Sequence, residues 1–246
     1  MEHTRKLLAL TAFALTLHSG AFAQKENAPR LLYMGQASIR ITTEEGRVIY
    51  IDPYAGTNEQ YEPTADLILV THGHFDHNQI EKVKNRAPDC RVITHRQAIV
   101  QGKHQSFDFG FVKVEAVEAG YNRMHNPSEC VGYILTFKNG ASVYVTGDTS
   151  KTPQMSQLSK KQITYAFFCC DGIYNMDLDE AADCARLVGA KHNIPYHNTA
   201  STRGKPFDKK RAEAFSAPNR MILDMGEEFV LENRQFFRKC RLLHTS

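Results

Sequence analysis

The sequence predicts a mixed α and β fold with a metal site along one edge. Three observations predict it. Short apolar, β-branched runs recur along the chain, separated by turn residues and short helical patterns. The runs ending at Val70, Val117, Val145 and near Pro195 each lead into a loop that carries an imidazole or a carboxylate. The densest of these loops is Thr71-His72-Gly73-His74-Phe75-Asp76-His77, with three imidazoles and one carboxylate close together. Strands packed as two sheets under helices, with the donors at one edge, fit this pattern.

The chain has 246 residues and a formal net charge of +3. That length suits one large domain or two small ones. The charge is too small to imply nucleic acid or an anionic membrane as partner. Residues 1–23 read as a signal peptide, and 24–246 as a single domain. Arg5-Lys6 give a basic start, Leu7 to Leu17 an apolar run, and Ala21-Phe22-Ala23 a small-x-small cleavage pattern before Gln24. The apolar run is shorter than an ordinary membrane span. The expected location is periplasmic or secreted, with no stable membrane span after cleavage. Such a compartment permits disulfides, but the six cysteines show no CxxC spacing. Most read as small apolar residues, with pairing open.

Leu31 to Tyr33, Ser38 to Thr42 and Val48 to Ile51 read as strands, with Glu45-Gly46 as a turn. Asp52 follows, either as a turn residue or as a carboxylate that holds a ligand imidazole. Leu67 to Val70 is a buried strand, and the His-rich heptapeptide opens at its end. Gly73 lets that loop bend sharply, and in a near-extended loop His72 and His74 point the same way. A single His is usually a core or surface residue; three with an Asp, directly after an apolar strand, form a ligand set suited to two metals.

Asn78 to Asn85 reads as a short helix ended by Ala87-Pro88, Arg91 to Thr94 as a strand, and Arg96 to Gly102 as a second short helix. Phe107 to Val117 alternates as one strand exposed on one face. Val131 to Phe137 and Ser142 to Val145 form a hairpin about Asn139-Gly140. Its second strand delivers Asp148 in Gly147-Asp148-Thr149. Ile163 to Phe168 is another buried strand. Asp177 caps a helix with Glu180 at the capping-box position, and Gly189 stops it. Asn193 to Pro195 is a brief strand before His197. Lys209 to Phe215 is helical, Met221 to Asp224 a last strand, and Phe237 to Ser246 a surface tail.

The motif His72-x-His74-x-Asp76-His77 resembles the metallo-β-lactamase superfamily. The resemblance covers roughly Leu31 to Asp224. It implies a four-layer αββα sandwich, an α+β fold with its site at the edge of two sheets. It also implies that His72, His74 and His125 hold one metal, that Asp76, His77 and His197 hold a second, and that Asp148 bridges both. Taken alone, His125 and His197 would read as surface residues. Tyr121-Asn122, Val131-Gly132-Tyr133, Tyr174-x-Met176-Asp177 and Ile194-Pro195-x-His197 look like the branch of L-ascorbate-6-phosphate lactonase-like hydrolases. Cys169-Cys170-Asp171-Gly172 and Asn175 depart from that branch.

Five imidazoles and two carboxylates suit two divalent ions, zinc best, with manganese or iron as alternatives. Two such cations lower the pKa of a shared water towards ~7 and supply hydroxide. The expected activity is hydrolysis of a small ester, lactone or phosphodiester. Asp76 and Asp148 are candidate orienting groups for the nucleophile. Tyr121 and Tyr174 are candidate donors to an oxyanion, with a packing role equally open. A di-iron redox protein and a non-catalytic metal-binding scaffold are the competing readings. Asp148 argues against antibiotic hydrolysis, because zinc β-lactamases generally lack a bridging carboxylate there. Oligomeric state is open.

Overall fold

Alternation along the strands decides which side chains meet between the sheets. In the computed structural model, which describes residues 28–200 and 204–233, the first sheet is built from β1 (Arg30–Gly35), β2 (Ser38–Thr42), β3 (Val48–Ile51), β4 (Ala65–Leu69) and β5 (Arg86–Ile93). Leu31, Tyr33, Ile39, Ile41, Ile49, Ile51, Leu67 and Leu69 point into the main core. Their neighbours Leu32, Met34, Val48, Tyr50 and Ile68 form a second apolar cluster with Tyr61 and Val83. Successive residues of a strand face opposite sides, so this sheet is buried on both.

The small ribbon β6 (Ile99–Val100) and β7 (Lys103–His104) follows helix α1 (His95–Ala98). The second sheet contains β8 (Ser106–Asp108), β9 (Lys113–Glu118), β10 (Val131–Thr136), β11 (Ser142–Val145), β12 (Tyr165–Cys169) and β13 (His192–Tyr196). Helices α2 (Met155–Leu158) and α3 (Leu178–Val188) pack together, and α3 lies on β12. Helix α4 (Lys209–Glu213) precedes β14 (Glu228–Val230), which pairs with β1 and completes the first sheet. The strand orders are β14-β1-β2-β3-β4-β5 and β13-β12-β11-β10-β9-β8.

This topology positions the site. Strands β3 and β4 are parallel, as are β11, β12 and β13. Parallel neighbours end at the same edge, so the loops after β4, β11 and β13 meet there. Two antiparallel pairings, β9 with β10 and β10 with β11, also bring the end of β9 to that edge. The result is an α+β sandwich with its donor-bearing loops together.

Several local expectations are corrected. Asn78 to Asn85 is not a helix but contains the single 3-10 turn Ile80–Lys82. That turn and Glu59–Tyr61 cover the outer face of the first sheet. Ala87-Pro88 lies inside β5, at the sheet edge beside a register shift, where a missing N–H is tolerated. The second short helix stops at Ala98, and the chain enters β6. Phe107 to Val117 is a hairpin rather than one strand: β8 pairs with β9, and the Phe109 N–H bonds to the Val112 carbonyl. Alternation continues on both sides of that tight turn and hides it. Met221 to Asp224 forms no strand; β14 comes later.

Helix α3 has the expected ends. The Asp177 side chain accepts from the Glu180 N–H, and Gly189 takes the left-handed conformation at φ 65°. Glu180 does not complete a capping box. Its carboxylate accepts from the Lys151 N–H at 2.9 Å and ties the helix to the loop after Asp148. Cys130, Cys169, Cys170 and Cys184 are buried and Cys90 partly so, all with free thiols. Among the described residues no helix is long and apolar enough to cross a membrane. The expected signal peptide and the Phe237 to Ser246 tail lie outside the described residues.

Candidate metal centre

Four loops bring seven donor residues together. The loop after β4 supplies His72, His74, Asp76 and His77. Their ligand atoms form three groups with those of His125, Asp148 and His197, each group within 4.8 Å: His72–His74–His125, His72–His77–Asp148 and Asp76–His77–His197. The His72 and His74 ring centroids are 4.6 Å apart, so the two imidazoles do converge. Gly73 is not needed for the bend; it avoids the left-handed region, and a Cβ there would meet nothing. Glycine is required at 147 instead. A Cβ there would lie 2.8 Å from the Val131 carbonyl oxygen and 3.0 Å from Thr71. Its absence lets the Asp148 loop press against the His-rich loop of the other sheet.

Asp148 presents one oxygen to each side. Its Oδ2 lies 3.3 Å from His125 Nε2 and 3.9 Å from His72 Nε2. Its Oδ1 lies 3.3 Å from His77 Nε2 and 3.4 Å from His197 Nε2. Asp76 Oδ2 is 3.4 Å from His197 Nε2 and 3.9 Å from His77 Nε2. His74 is the exposed member of the set, so the centre opens on its side.

The outer ring nitrogens are held. The His77 Nδ1–H points at Asp52 Oδ2, 2.9 Å away. Asp52 also accepts from the Thr71 N–H and hydroxyl, each at 2.7 Å. The Thr71 oxygen lies 3.1 Å from His72 Nδ1. Asn122 Oδ1 lies 3.0 Å from His125 Nδ1. Asp171 Oδ2 stands 3.8 Å from His197 Nδ1. The contacts of His77, His72 and His125 favour Nδ1–H tautomers and aim their Nε2 lone pairs inward; Asp171 is beyond hydrogen-bond distance of His197. Asp52 and His197 adopt left-handed backbones, φ 46° and 41°, an unusual cost for non-glycine residues that functional sites often carry.

The electrostatics follow from burial and proximity. Burial, then the neighbouring His77, holds the His72 imidazole well below its ordinary range. Burial opposes charge on His77, yet Asp148 and Asp52 outweigh it and raise His77 well above that range. Burial likewise opposes ionisation of Asp148, and the surrounding His197 and His77 reverse the effect and hold its carboxyl well down.

The donor set fits a metal. His72 Nε2, His77 Nε2 and Asp148 Oδ1 are buried with no hydrogen-bond partner. Buried polar atoms are ordinarily paired, and a cation between these donors would satisfy all three.

A family model described as "Beta-lactamase superfamily domain" matches residues 30–197, across both sheets and all seven donors. The chain belongs to the beta-lactamase superfamily. A UPF0173 metal-dependent hydrolase of Rubrobacter xylanophilus is 31% identical over 195 residues, covering 68% of this chain and 81% of the relative. A solved structure from Parabacteroides distasonis, described as a metal-dependent hydrolase, is 27% identical with a TM-score of 0.62. It covers 78% of this chain and 91% of its own. A metallo hydrolase from Ignicoccus hospitalis has a TM-score of 0.65 at 20% identity, covering 84% and 99%, and speaks for the fold alone. The sandwich is thus of the metallo-β-lactamase type.

Two tyrosines stand differently. Tyr121 is 40% exposed. Burial and the Glu118 carboxylate beside its hydroxyl raise its pKa. Tyr174 is half-buried, and its N–H donates to Asp171 Oδ1 at 2.7 Å, which places its loop beside the His197 support. The sequence gives little warning of Gln36. It is fully buried in the turn between β1 and β2, with Nε2 3.2 Å from Asp76 Oδ2 and 3.1 Å from His197 Nε2. Its one local signal is a polar side chain inside the small-residue turn Gly35-Gln36-Ala37.

Proposed function

We propose that the chain is a metal-dependent hydrolase that holds two divalent cations, zinc best suited, and cleaves a small ester, lactone or phosphodiester. His72, His74 and His125 would hold one cation, and Asp76, His77 and His197 the other. Asp148 would span both. The observation that carries this reading is the division of the Asp148 carboxylate, Oδ2 towards His125 and His72 and Oδ1 towards His77 and His197. Relatives described as metal-dependent hydrolases support the reaction class.

Bound there, the cations would supply a nucleophile from water at neutral pH and polarise the scissile carbonyl or phosphoryl group. The chain's own residues set the conditions. Five neutral imidazoles and two carboxylates offset half the charge of two divalent ions. The centre therefore stays cationic, which favours a substrate oxygen that gains negative charge. Asp52, Thr71 and Asn122 fix ring orientation, so the donors need no rearrangement when the substrate arrives. Burial of His72, His77, His125 and His197 excludes water from all but the His74 side. Asp76 and Asp148 are the carboxylates placed to accept a hydrogen bond from an attacking water. Tyr174 is the phenol on the loop beside His197, and donation from it to the developing oxyanion belongs to this reading.

Export belongs to it too, supported by the Arg5-Lys6 start, the apolar run and Ala21-Phe22-Ala23. Intact-mass analysis of protein from its native host should give a chain beginning at Gln24. For the reaction, zinc-loaded and manganese-loaded protein should be assayed on lactones, aryl esters, bis-aryl phosphates and β-lactams alongside metal analysis. About two metals per chain and turnover on an ester, lactone or diester class are expected. Two metals without turnover on any class would return the chain to the scaffold reading.

A further inference from the structure

Beside the donor set lies a pocket of ≈ 280 Å³, lined by Gln36, Tyr54, Lys82 and Lys205 among others. Gln36 joins the two. Its amide nitrogen touches Asp76 and His197, while its oxygen is buried with no partner. The backbone holds this residue hard: φ is 50°, its N–H donates to the Pro206 carbonyl at 2.7 Å, and its carbonyl accepts from the His197 N–H at 2.9 Å. A carboxamide fixed this way is a divider between pocket and centre, with hydrogen-bonding capacity to spare.

The charge of the pocket is one-sided. Among the described residues no acidic side chain lines it, and two lysines do. Lys113, Lys138, Lys161 and Lys209 each pair with a carboxylate. Among the described residues, Lys82 and Lys205 have no such ion pair, as is true of most of the other lysines; what sets them apart is that they line this pocket. The Lys82 ammonium donates to the Tyr54 carbonyl and lies 5.3 Å from the Tyr61 ring centroid. Those contacts hold its position and leave its charge uncompensated. Edge-to-face contact between Tyr54 and Phe75, at 5.2 Å, ties the pocket wall to the loop between His74 and Asp76.

We propose that this pocket is a substrate subsite for an anionic group, a carboxylate or phosphate, held by Lys82 and Lys205, with Gln36 positioning the adjoining atoms towards Asp76 and His197. The proposal rests on the hydrolase reading for its use of the word substrate. The anion site itself is a property of residues outside the metal ligands.

Calorimetry on metal-free full-length protein tests it without catalysis, using inorganic phosphate and acetate as probes. Phosphate should bind the wild type, and affinity should fall about tenfold or more in Lys82→Gln and again in Lys205→Gln, as expected for loss of a charge-assisted contact. Lys205→Gln leaves the Tyr54 contact of Lys82 in place, so a folding defect in one variant does not decide the result. Lysine-dependent binding of phosphate alone assigns a phosphorylated group; binding of both probes assigns any small anion. On metal-loaded protein, the kcat/KM ratio of a carboxylate-bearing aryl ester to its neutral counterpart should fall about tenfold in Lys205→Gln. Equal phosphate affinity in wild type and the double variant would overturn the subsite. Lysine-dependent binding without hydrolysis of any ester would overturn the hydrolase reading and leave the anion pocket standing.

Discussion

Asp52 Oδ2 lies 2.9 Å from Nδ1 of His77, which leaves Nε2 of the same ring 3.3 Å from Asp148. One carboxylate therefore orients the imidazole from behind while the other meets it in front. Asp52 sits outside the donor groups, directly after β3, and receives two further hydrogen bonds from Thr71. Asp52→Asn keeps the shape but loses the charge and half of the accepting capacity. It should weaken metal at the Asp76–His77–His197 position by about 10–100-fold, the usual scale for groups that orient a ligating histidine. Competition titration against a chromophoric chelator measures this. Wild-type affinity would leave Asp52 a turn residue only.

The same pair sets a pH dependence. His77 is raised above its ordinary value in the metal-free protein because Asp148 and Asp52 outweigh its burial. A metal must displace that proton, so binding should release protons and affinity should increase as pH rises through the raised His77 value. Stability of the metal-free protein runs the other way. The contribution from His77 is fully present below ~6.5, the unfolded value, and is lost as pH rises through the folded one. Calorimetric metal titrations in buffers of different ionisation enthalpy, with thermal melts of metal-free protein across the alkaline range, measure both slopes. Proton-neutral binding would contradict the arrangement.

Much of this centre is legible in the sequence because its donors are either adjacent or terminal to apolar strands. His72, His74, Asp76 and His77 lie in one heptapeptide. Asp148 follows a hairpin whose Asn139-Gly140 turn is plain. His125 and His197 carry only a weak local signal, a single imidazole in the loop after an apolar run. They reach the site because the ends of β9 and β13 share an edge, which only sheet order decides. Gln36 is hidden for the same reason: its partners Asp76 and His197 are distant in sequence. The β8–β9 hairpin is hidden differently, since alternation through Phe107, Phe109 and Phe111 is the same for one strand as for two joined by a tight turn.

His125 and His197 also make the two positions separable. His125 groups with His72 and His74, and His197 with Asp76 and His77. His125→Ala should deplete the first position and His197→Ala the second, each taking the chain from about two metals towards one. Elemental analysis after dialysis at fixed free metal counts them. Full stoichiometry and affinity in both variants would remove these histidines from the ligand set.

Asp148→Asn is the sharpest test of a shared centre. Two cations about 3.5–4 Å apart repel strongly, and a carboxylate between them offsets that repulsion. The amide keeps one oxygen acceptor and puts an NH2 donor where the other oxygen stood. In Asp148→Asn, both sides of the centre therefore lose the anionic charge, and one side loses its oxygen as well, whichever way the amide turns. At least one metal should weaken, most readily the one beside His77 and His197, and turnover should drop by orders of magnitude. The metal-free variant should lose stability as well. Asp148 is buried and held ionised chiefly by His197 and His77, and these would lose their counter-charge. Excess metal should recover part of that loss by binding the folded state. A turn residue after β11 would tolerate Asn with little effect on any of these readouts. Two tightly bound metals and undiminished hydrolysis in Asp148→Asn would refute the bridge.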